Sequence, residues 1–480
     1  MSVSDHVVLS KSKEQVYESL FEKNEWLVVN DTMVDYNSNT SIIETAPLAN
    51  NGKFVVYNKG YISVPLLITV TGEAALVKDD FKVAIKQSFL SLVNSITVDL
   101  NGQNIVQQNN LIDIVNNFQL LTQESNSTLP RWATIGFNPY NTGLDIRENY
   151  LTQGDNQTVI SKNTLGTLQQ SHASKDVGGC YQISARVIIY LKDLHPVFQA
   201  LPVSKSLNFK IQLFWNAASA TMDAAKTYRS SIRAYNGTNP LEIEMISGKA
   251  MEASVYVGNK CLSPLQKDLA NVGTGMVGTQ VQLFVPAVQM KPEIEQDYFA
   301  TNRVKEVKYN DYYTFTINKE SAKAGQSFNK LLSNGITDLK SVIIVPFSTD
   351  LNKENENPLR DGLSKPYGHF TNLQVLVGGL NVMASELRYT HQSFTQEILN
   401  SFGVNANESP GIGSGMMGAA QWFEHPVYVV DCSRTPDAIS NQYRSLQISG
   451  TNTTSQDMEI VVFACYERKF KISTDTGMIE

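Results

Sequence analysis

The sequence predicts an all-β protein built as two antiparallel β-sandwiches in tandem. A hairpin pattern occurs twice at a constant offset, the elements around it recur in the same order, and alternating βαβ units are missing. Ile96, Val98 and Leu100 alternate with Thr97 and Asp99, reach Asn101-Gly102 and continue from Gln103 to Val106. Leu373, Val375 and Val377 alternate likewise, reach Gly378-Gly379 and continue from Leu380 to Met383, shifted by 277 residues throughout. Alternation puts the apolar side chains on one sheet face, and Asn-Gly or Gly-Gly supplies the positive φ values of a tight turn. Each copy reads as a half-buried hairpin.

After each hairpin the apolar period changes from two to about 3.6. Leu111, Ile114, Val115 and Phe118 form one helical stripe; Leu387, Phe394 and Ile398 form another, with Ser385 as N-cap. A proline-interrupted apolar strand precedes each unit, around Pro65 and around Pro346. Two strands close each: Val187 to Leu191 with Phe209 to Trp215, then Val427 to Val430 with Met458 to Ala464. Strand, hairpin, helix, strand, strand thus occurs twice, as an internal duplication predicts.

In chain order, Ser12 and Gln15 form a capping-box pattern ahead of a short amphipathic helix through Val16, Tyr17, Leu20 and Phe21. Residues 30–50 read as irregular. A β-rich region follows from Lys53 to Val106, with the helix ending near Gln123. Residues 124–178 form a long polar connection anchored by Trp132, Phe137 and Tyr140, a length that usually carries surface function. Proline stops the strand that begins at Arg186, just after His195. Residues 217–240 read as loop or partial helix. Strand signals resume at Leu241 to Met245, Ala253 to Val257 and Val281 to Val285, and Lys291-Pro292 marks the crossover. Two units are therefore expected, 1–295 and 296–480. The second opens with strands at Val304 to Val307 and Tyr312 to Ile317, and its last strand runs from Met458 to Tyr466. A glycine-dense loop from Ser409 to Gly418 precedes Trp422, and Asp431 is placed to pair with Arg434 across a turn.

Composition bounds the function. A chain of 480 residues with 42% hydrophobic and 18% charged residues fills two globular cores. No apolar run approaches the ~20 residues of a spanning helix, and the start carries no secretory pattern. Cys180, Cys261, Cys432 and Cys465 form no ligand or redox motif, so reduced, buried thiols are expected. Net charge is −7 and no stretch is densely basic, which argues against nucleic-acid reading and against a basic arm threaded into a genome.

The chemical motifs are mostly negative. Gly273 to Gly278 and Gly413 to Gly418 both satisfy GxGxxG, but neither lies between a strand and an amphipathic helix. His6, His172, His195, His369, His391 and His425 make no ligand spacing. His195, beside Pro196, reads as a turn or packing residue. No GxSxG elbow occurs. Two carboxylates from among Glu386, Glu397 and Asp431 could form a glycosidase pair; solvated or capping roles are the expectation. No catalytic, cofactor-binding or metal-ligating residue is assigned, no cofactor is expected, and the chain is read as a non-enzyme.

Several segments carry a family resemblance. They are Phe81 to Gln103 with Asn94-Ser95 and Asn101-Gly102, Leu191 to Phe198 followed by Leu207 to Trp215, and Tyr428 to Arg434. Ser445 to Ser449, Met458 to Tyr466 and Thr476-Gly477 complete the set. Together they resemble double jelly-roll viral major capsid proteins, most of all those of polinton-like viruses, adintoviruses and virophages. The resemblance covers most of the chain except residues 124–178 and 217–300. It implies two eight-stranded jelly rolls with short helices in the connections, and a homotrimer forming a pseudo-hexameric capsomer. Such capsomers would tile an icosahedral shell around double-stranded DNA, with penton and minor capsid proteins as partners. The expected location is the virion, after synthesis in the host cytoplasm or nucleus. The rival reading is a jelly-roll carbohydrate-binding or glycan-processing protein, with Trp132, Tyr140 and Trp422 stacking on sugars.

Overall fold

The computed structural model describes residues 21–33, 35, 38–72, 81–85, 88–123, 131, 134–136, 174–175, 181–216, 218–222, 230–234, 239–247, 251–261, 280–348, 368–383, 389–402, 419–424, 426–434 and 442–479. The first half holds β1 (Phe21–Asn30), β2 (Thr40–Glu44), α1 (Ala46–Ala49), β3 (Phe54–Val55), β4 (Tyr61–Gly72), β5 (Phe81–Ile85), β6 (Val93–Leu100) and β7 (Gln103–Val106). It continues with α2 (Ile112–Gln123), β8 (Ser174–Lys175), β9 (Tyr181–Tyr190), α3 (Leu191–Leu194), α4 (Pro196–Ala200) and β10 (Phe209–Trp215). Then come β11 (Ala218–Met222), β12 (Ser230–Ala234), β13 (Asn239–Ser247), β14 (Met251–Val257), β15 (Gln282–Met290) and α5 (Pro292–Asn302). The second half holds β16 (Val304–Ile317), β17 (Ser327–Ile336), β18 (Leu339–Ser348), β19 (Phe370–Val377) and β20 (Leu380–Asn381). It ends with α6 (His391–Phe402), α7 (Ala419–Glu424), β21 (Tyr428–Asp431), β22 (Arg444–Asn452) and β23 (Met458–Ser473).

Pairing turns this order into two sandwiches of the same topology. In the first, β4 pairs with β15 on one side and β9 on the other, and β15 pairs with β1. Its second sheet runs β2-β10-β6-β7. In the second, the sheets run β16-β23-β18-β21 and β17-β22-β19-β20. Every strand of the second has a counterpart in the first at the same sheet position and in the same chain order. These are two tandem antiparallel eight-stranded jelly rolls, with helices confined to the connections.

The duplicated hairpins are where the alternation placed them. Asn101 and Gly102 have φ of 49° and 83°, Gly378 and Gly379 of 61° and 82°, the paired positive values of a type I′ turn. Ile96, Val98 and Leu100, and Leu373, Val375 and Val377, are buried between the sheets.

Pairing corrects one equivalence. Phe209–Trp215 matches Met458 to Ala464 by order of hydrophobic runs, yet β10 pairs β6 as β22 pairs β19, so its counterpart is β22. The counterpart of β23 is β15. The mismatch arises because β11 to β14 are inserted after β10, where β22 passes to β23 through five residues, 453–457. There β14 pairs along Leu66–Gly72 of β4, extending the sheet beyond the reach of β15.

Other local expectations also shift. Residues 30–50 contain β2 and α1: only Ile43 of β2 is a buried hydrophobic, while inward Ser41 accepts a hydrogen bond from Trp215 Nε1 (2.9 Å). One apolar residue among polar ones leaves no alternation to read. Residues 217–240, read as loop or helix, supply β11 and β12, which neighbouring strands recruit despite weak propensity. The two strand signals at 304–317 are one 14-residue strand, and β23 runs past Tyr466 to Ser473 against it. Leu191 starts a helical turn, and the crossover at Lys291-Pro292 is the N-terminus of α5. Helix α6 starts at His391, with Thr390 Oγ1 accepting from the Ser393 amide (3.3 Å); Ser385 and Leu387 lie outside the described residues. So does the helix expected from Val16 to Leu20, whose last member Phe21 begins β1.

Candidate functional site

The residues that sequence reasoning weighed for chemistry separate into three groups. Gly273 to Gly278, Gly413 to Gly418, Glu386, Cys180, Trp132, Phe137, Tyr140, His6, His172 and His425 lie outside the described residues. Others are committed to structure. Trp422 is buried and donates its Nε1–H to Val427 O (2.7 Å), so it offers no ring face to a sugar. Glu397 and Asp431 do meet, but in a turn: Glu397 accepts from the Asp431 amide (2.8 Å) and Arg434 (2.6 Å), while Asp431 accepts from the Ser433 amide (2.9 Å). Arg434 also lies 3.7 Å from Asp431, the pairing expected from the sequence. Cys261, Cys432 and Cys465 are buried; burial pushes the Cys261 and Cys465 thiols up to about 12 and raises Cys432 further, which leaves them unreactive. Among the described residues no cluster of His, Cys, Asp or Glu could hold a metal ion, and no helix is long and apolar enough to cross a membrane.

The third group, of which sequence reasoning weighed only His195, forms the junction between the rolls. Asp311 of β16 is 1% exposed and accepts four hydrogen bonds. Its Oδ1 faces His195 Nε2 (3.3 Å) and the Tyr312 amide (2.8 Å), and its Oδ2 faces Tyr466 OH and Arg468 Nη1 (3.1 Å each). His195 Nδ1 accepts from the Val197 amide at the start of α4 (3.2 Å), so Nε2 carries the proton that is donated to Asp311. The local role read for His195, a turn residue, is therefore real, and the second nitrogen reaches the other roll. Burial alone would raise the Asp311 pKa, but His195, the Tyr312 amide and Arg468 outweigh it and lower the carboxyl below its ordinary value.

Around this point β16 and β23 lie against the first roll. Arg468 Nη2 donates to Asn104 O (3.1 Å), Tyr309 OH to Ile105 O, Thr314 Oγ1 to Asn110 O (3.0 Å) and Gln119 Nε2 to Tyr312 OH. A second clasp closes the far side. Thr474 O accepts from the Lys205 amide (3.0 Å), and Gly477 O from Asn101 Nδ2 (2.5 Å). Gly477 has φ +71°, and a Cβ there would sit 2.5 Å from Ser206 O.

Across its middle the sheet β16-β23-β18-β21 is consequently buried on both faces, while Glu306, Lys308 and Thr316 toward the ends of β16 are exposed. Tyr428 on its inner face reaches Phe370 N across the sandwich (3.0 Å), so Asp431 and Val429 point outward. The outward row Tyr312, Cys465, Ser341, Asp431 is buried along its whole length. Gln119 of α2 meets one end and Glu397 of α6 the other, and the helices touch through Phe118 and Phe394 (ring centroids 6.3 Å). What this arrangement does chemically is adhesion: it fuses two similar rolls edge to face by contacts far apart in sequence.

No protein-family model and no curated protein matches the chain. Among solved structures it is similar to a chain in the cryo-EM structure of the Sputnik virophage, with 14% identity over 98% of this chain and 90% of that one, at TM-score 0.56. It is also similar to the mavirus major capsid protein, with 10% identity over 98% and 92% respectively, at TM-score 0.53. Both likenesses span the two jelly rolls, so the fold is the double jelly roll of these proteins.

Proposed function

We propose that this chain is a major capsid protein, a structural subunit and not an enzyme. Three copies form a pseudo-hexameric homotrimeric capsomer, and capsomers tile an icosahedral shell around a double-stranded DNA genome. The observation that carries the reading is the pair of topologically equivalent rolls locked side by side. One chain then presents two similar walls, and three chains present six. We take the units as residues 1–295 and 296–480. Penton and minor capsid proteins are the expected partners beyond the chain itself, and the virion is its place, after synthesis in the host cytoplasm or nucleus. With a net charge of −7, the wall encloses nucleic acid without reading its sequence. The glycan reading loses Trp422, which is buried in the second roll.

Sedimentation velocity and negative-stain microscopy of the chain expressed alone test this. Particles with threefold symmetry, three times the 53.2 kDa of one chain, are expected. A monomer at micromolar concentration that binds or cleaves glycans overturns the proposal.

A further inference from the structure

The junction inside the chain has two sides, and each has a counterpart elsewhere in the same chain that the described residues leave open. One side is the outward face of β16-β23-β18-β21, buried as described. Its counterpart is the outward face of β1-β15-β4-β9. There Val29, Leu283, Ile62 and Ile189 point into the core, so Val28, Phe284, Tyr61 and Tyr190 form the outward row. Val28 is 49% exposed and Trp26, on the same face, 54%. Phe284, Tyr61 and Tyr190 are half-buried. Trp26, Phe284 and Tyr190 gather around Tyr61 at ring-centroid distances of 5.6, 5.0 and 6.2 Å, making one aromatic patch across four strands. A patch of this kind is what an interface core looks like before it is covered.

The other side of the junction is α2: Gln119 donates to Tyr312 OH and Phe118 touches Phe394, both in the second roll, while Asn116 and Asn117 are enclosed by their own roll. Its counterpart α6 connects the equivalent strands, yet it is buried only along Phe394, Thr395 and Ile398. Gln392, Gln396, Leu399 and Asn400 face outward, with Leu399 40% exposed.

We propose that these two open surfaces belong together: the Trp26–Tyr61 face of one copy receives helix α6 of a second copy. The contact repeats between chains what α2 and β16 do within one. The occupant is a second copy of this chain because the internal duplication already supplies both halves of the contact, and the closed version is present in the same molecule. Two different patches meeting head to tail build a ring, and rolls alternating first, second, first, second close it at three chains. This rests on the capsid-subunit reading and adds the surfaces that hold the capsomer.

The test uses Trp26→Glu and Leu399→Glu in the full chain, both at exposed positions, with thermal melting of each variant's monomer to establish that it is folded. Wild type is expected to sediment as a trimer and each variant as a folded monomer. An equimolar mixture of the two variants is expected to stop at a dimer, since each retains the one patch the other needs. Trimers persisting in both variants overturn the assignment of these surfaces while leaving the capsid reading intact. A monomeric wild type overturns both.

Discussion

At Asp311 a single carboxylate is shared by both rolls, and its environment sets two predictions. Asp311→Ala leaves Arg468 and His195 at the junction without their acceptor. Breaking a buried pair this way costs about 3–5 kcal/mol, and the lower end applies because Arg468 is 25% exposed. Urea unfolding measures it, and a loss under about 1 kcal/mol contradicts the role given to the network. The carboxyl pKa is lowered in the folded chain, so its stabilisation is complete above the unfolded aspartate value of about 3.9 and disappears as pH falls through the lower folded value. Wild type should therefore lose stability over that acidic window more steeply than Asp311→Asn, as paired urea titrations will show. Gly477 gives a backbone test. With φ at +71° and Ser206 O in the way, Gly477→Ala is expected to lower the melting temperature by several degrees, and an unchanged melt excludes a tight clasp. None of this was legible beforehand for Asp311, whose partners His195 and Arg468 lie 116 and 157 residues away.

At the scale of elements, legibility followed periodicity. The two hairpins, the strands around Pro65 and Pro346, and α2 were readable because their apolar residues recur at a single period. Strand β2 was not, since Ser41 occupies an inward position through a hydrogen bond to Trp215. Helix α2 shows the limit from the other side. Its stripe through Ile114, Val115 and Phe118 predicted an amphipathic helix, yet its polar flank is covered too, with Asn117 donating to Ser91 Oγ (3.0 Å) and Asn116 to Leu194 O (3.0 Å). Phe118→Ala removes a fully buried ring that also touches Phe394, and a cost of about 3–5 kcal/mol is expected in denaturant unfolding. Leu399→Ala on the open face of α6 should cost less than about 1 kcal/mol in the monomer. A reversal of that order would contradict the roles assigned to the two helices.

For the whole molecule, the proposed ring would stabilise each subunit by mass action, so the apparent melting temperature should rise with protein concentration. Calorimetry across a hundredfold range checks this, and a constant value contradicts a ring in which folding and assembly are linked. The sequence by itself determined what depends on neighbours along the chain: alternation, turn chemistry, the duplication, and through them a pair of β-sandwiches. Only the tertiary structure decided that β10 answers to β22, that β14 extends β4, and which sheet faces are closed. Hydrogen bonds between strands join residues as far apart as Phe209 and Leu100, and no local period records which distant edge a strand will find. Whether an outward face is covered depends on a surface supplied from elsewhere, as the first roll supplies it for β16-β23-β18-β21.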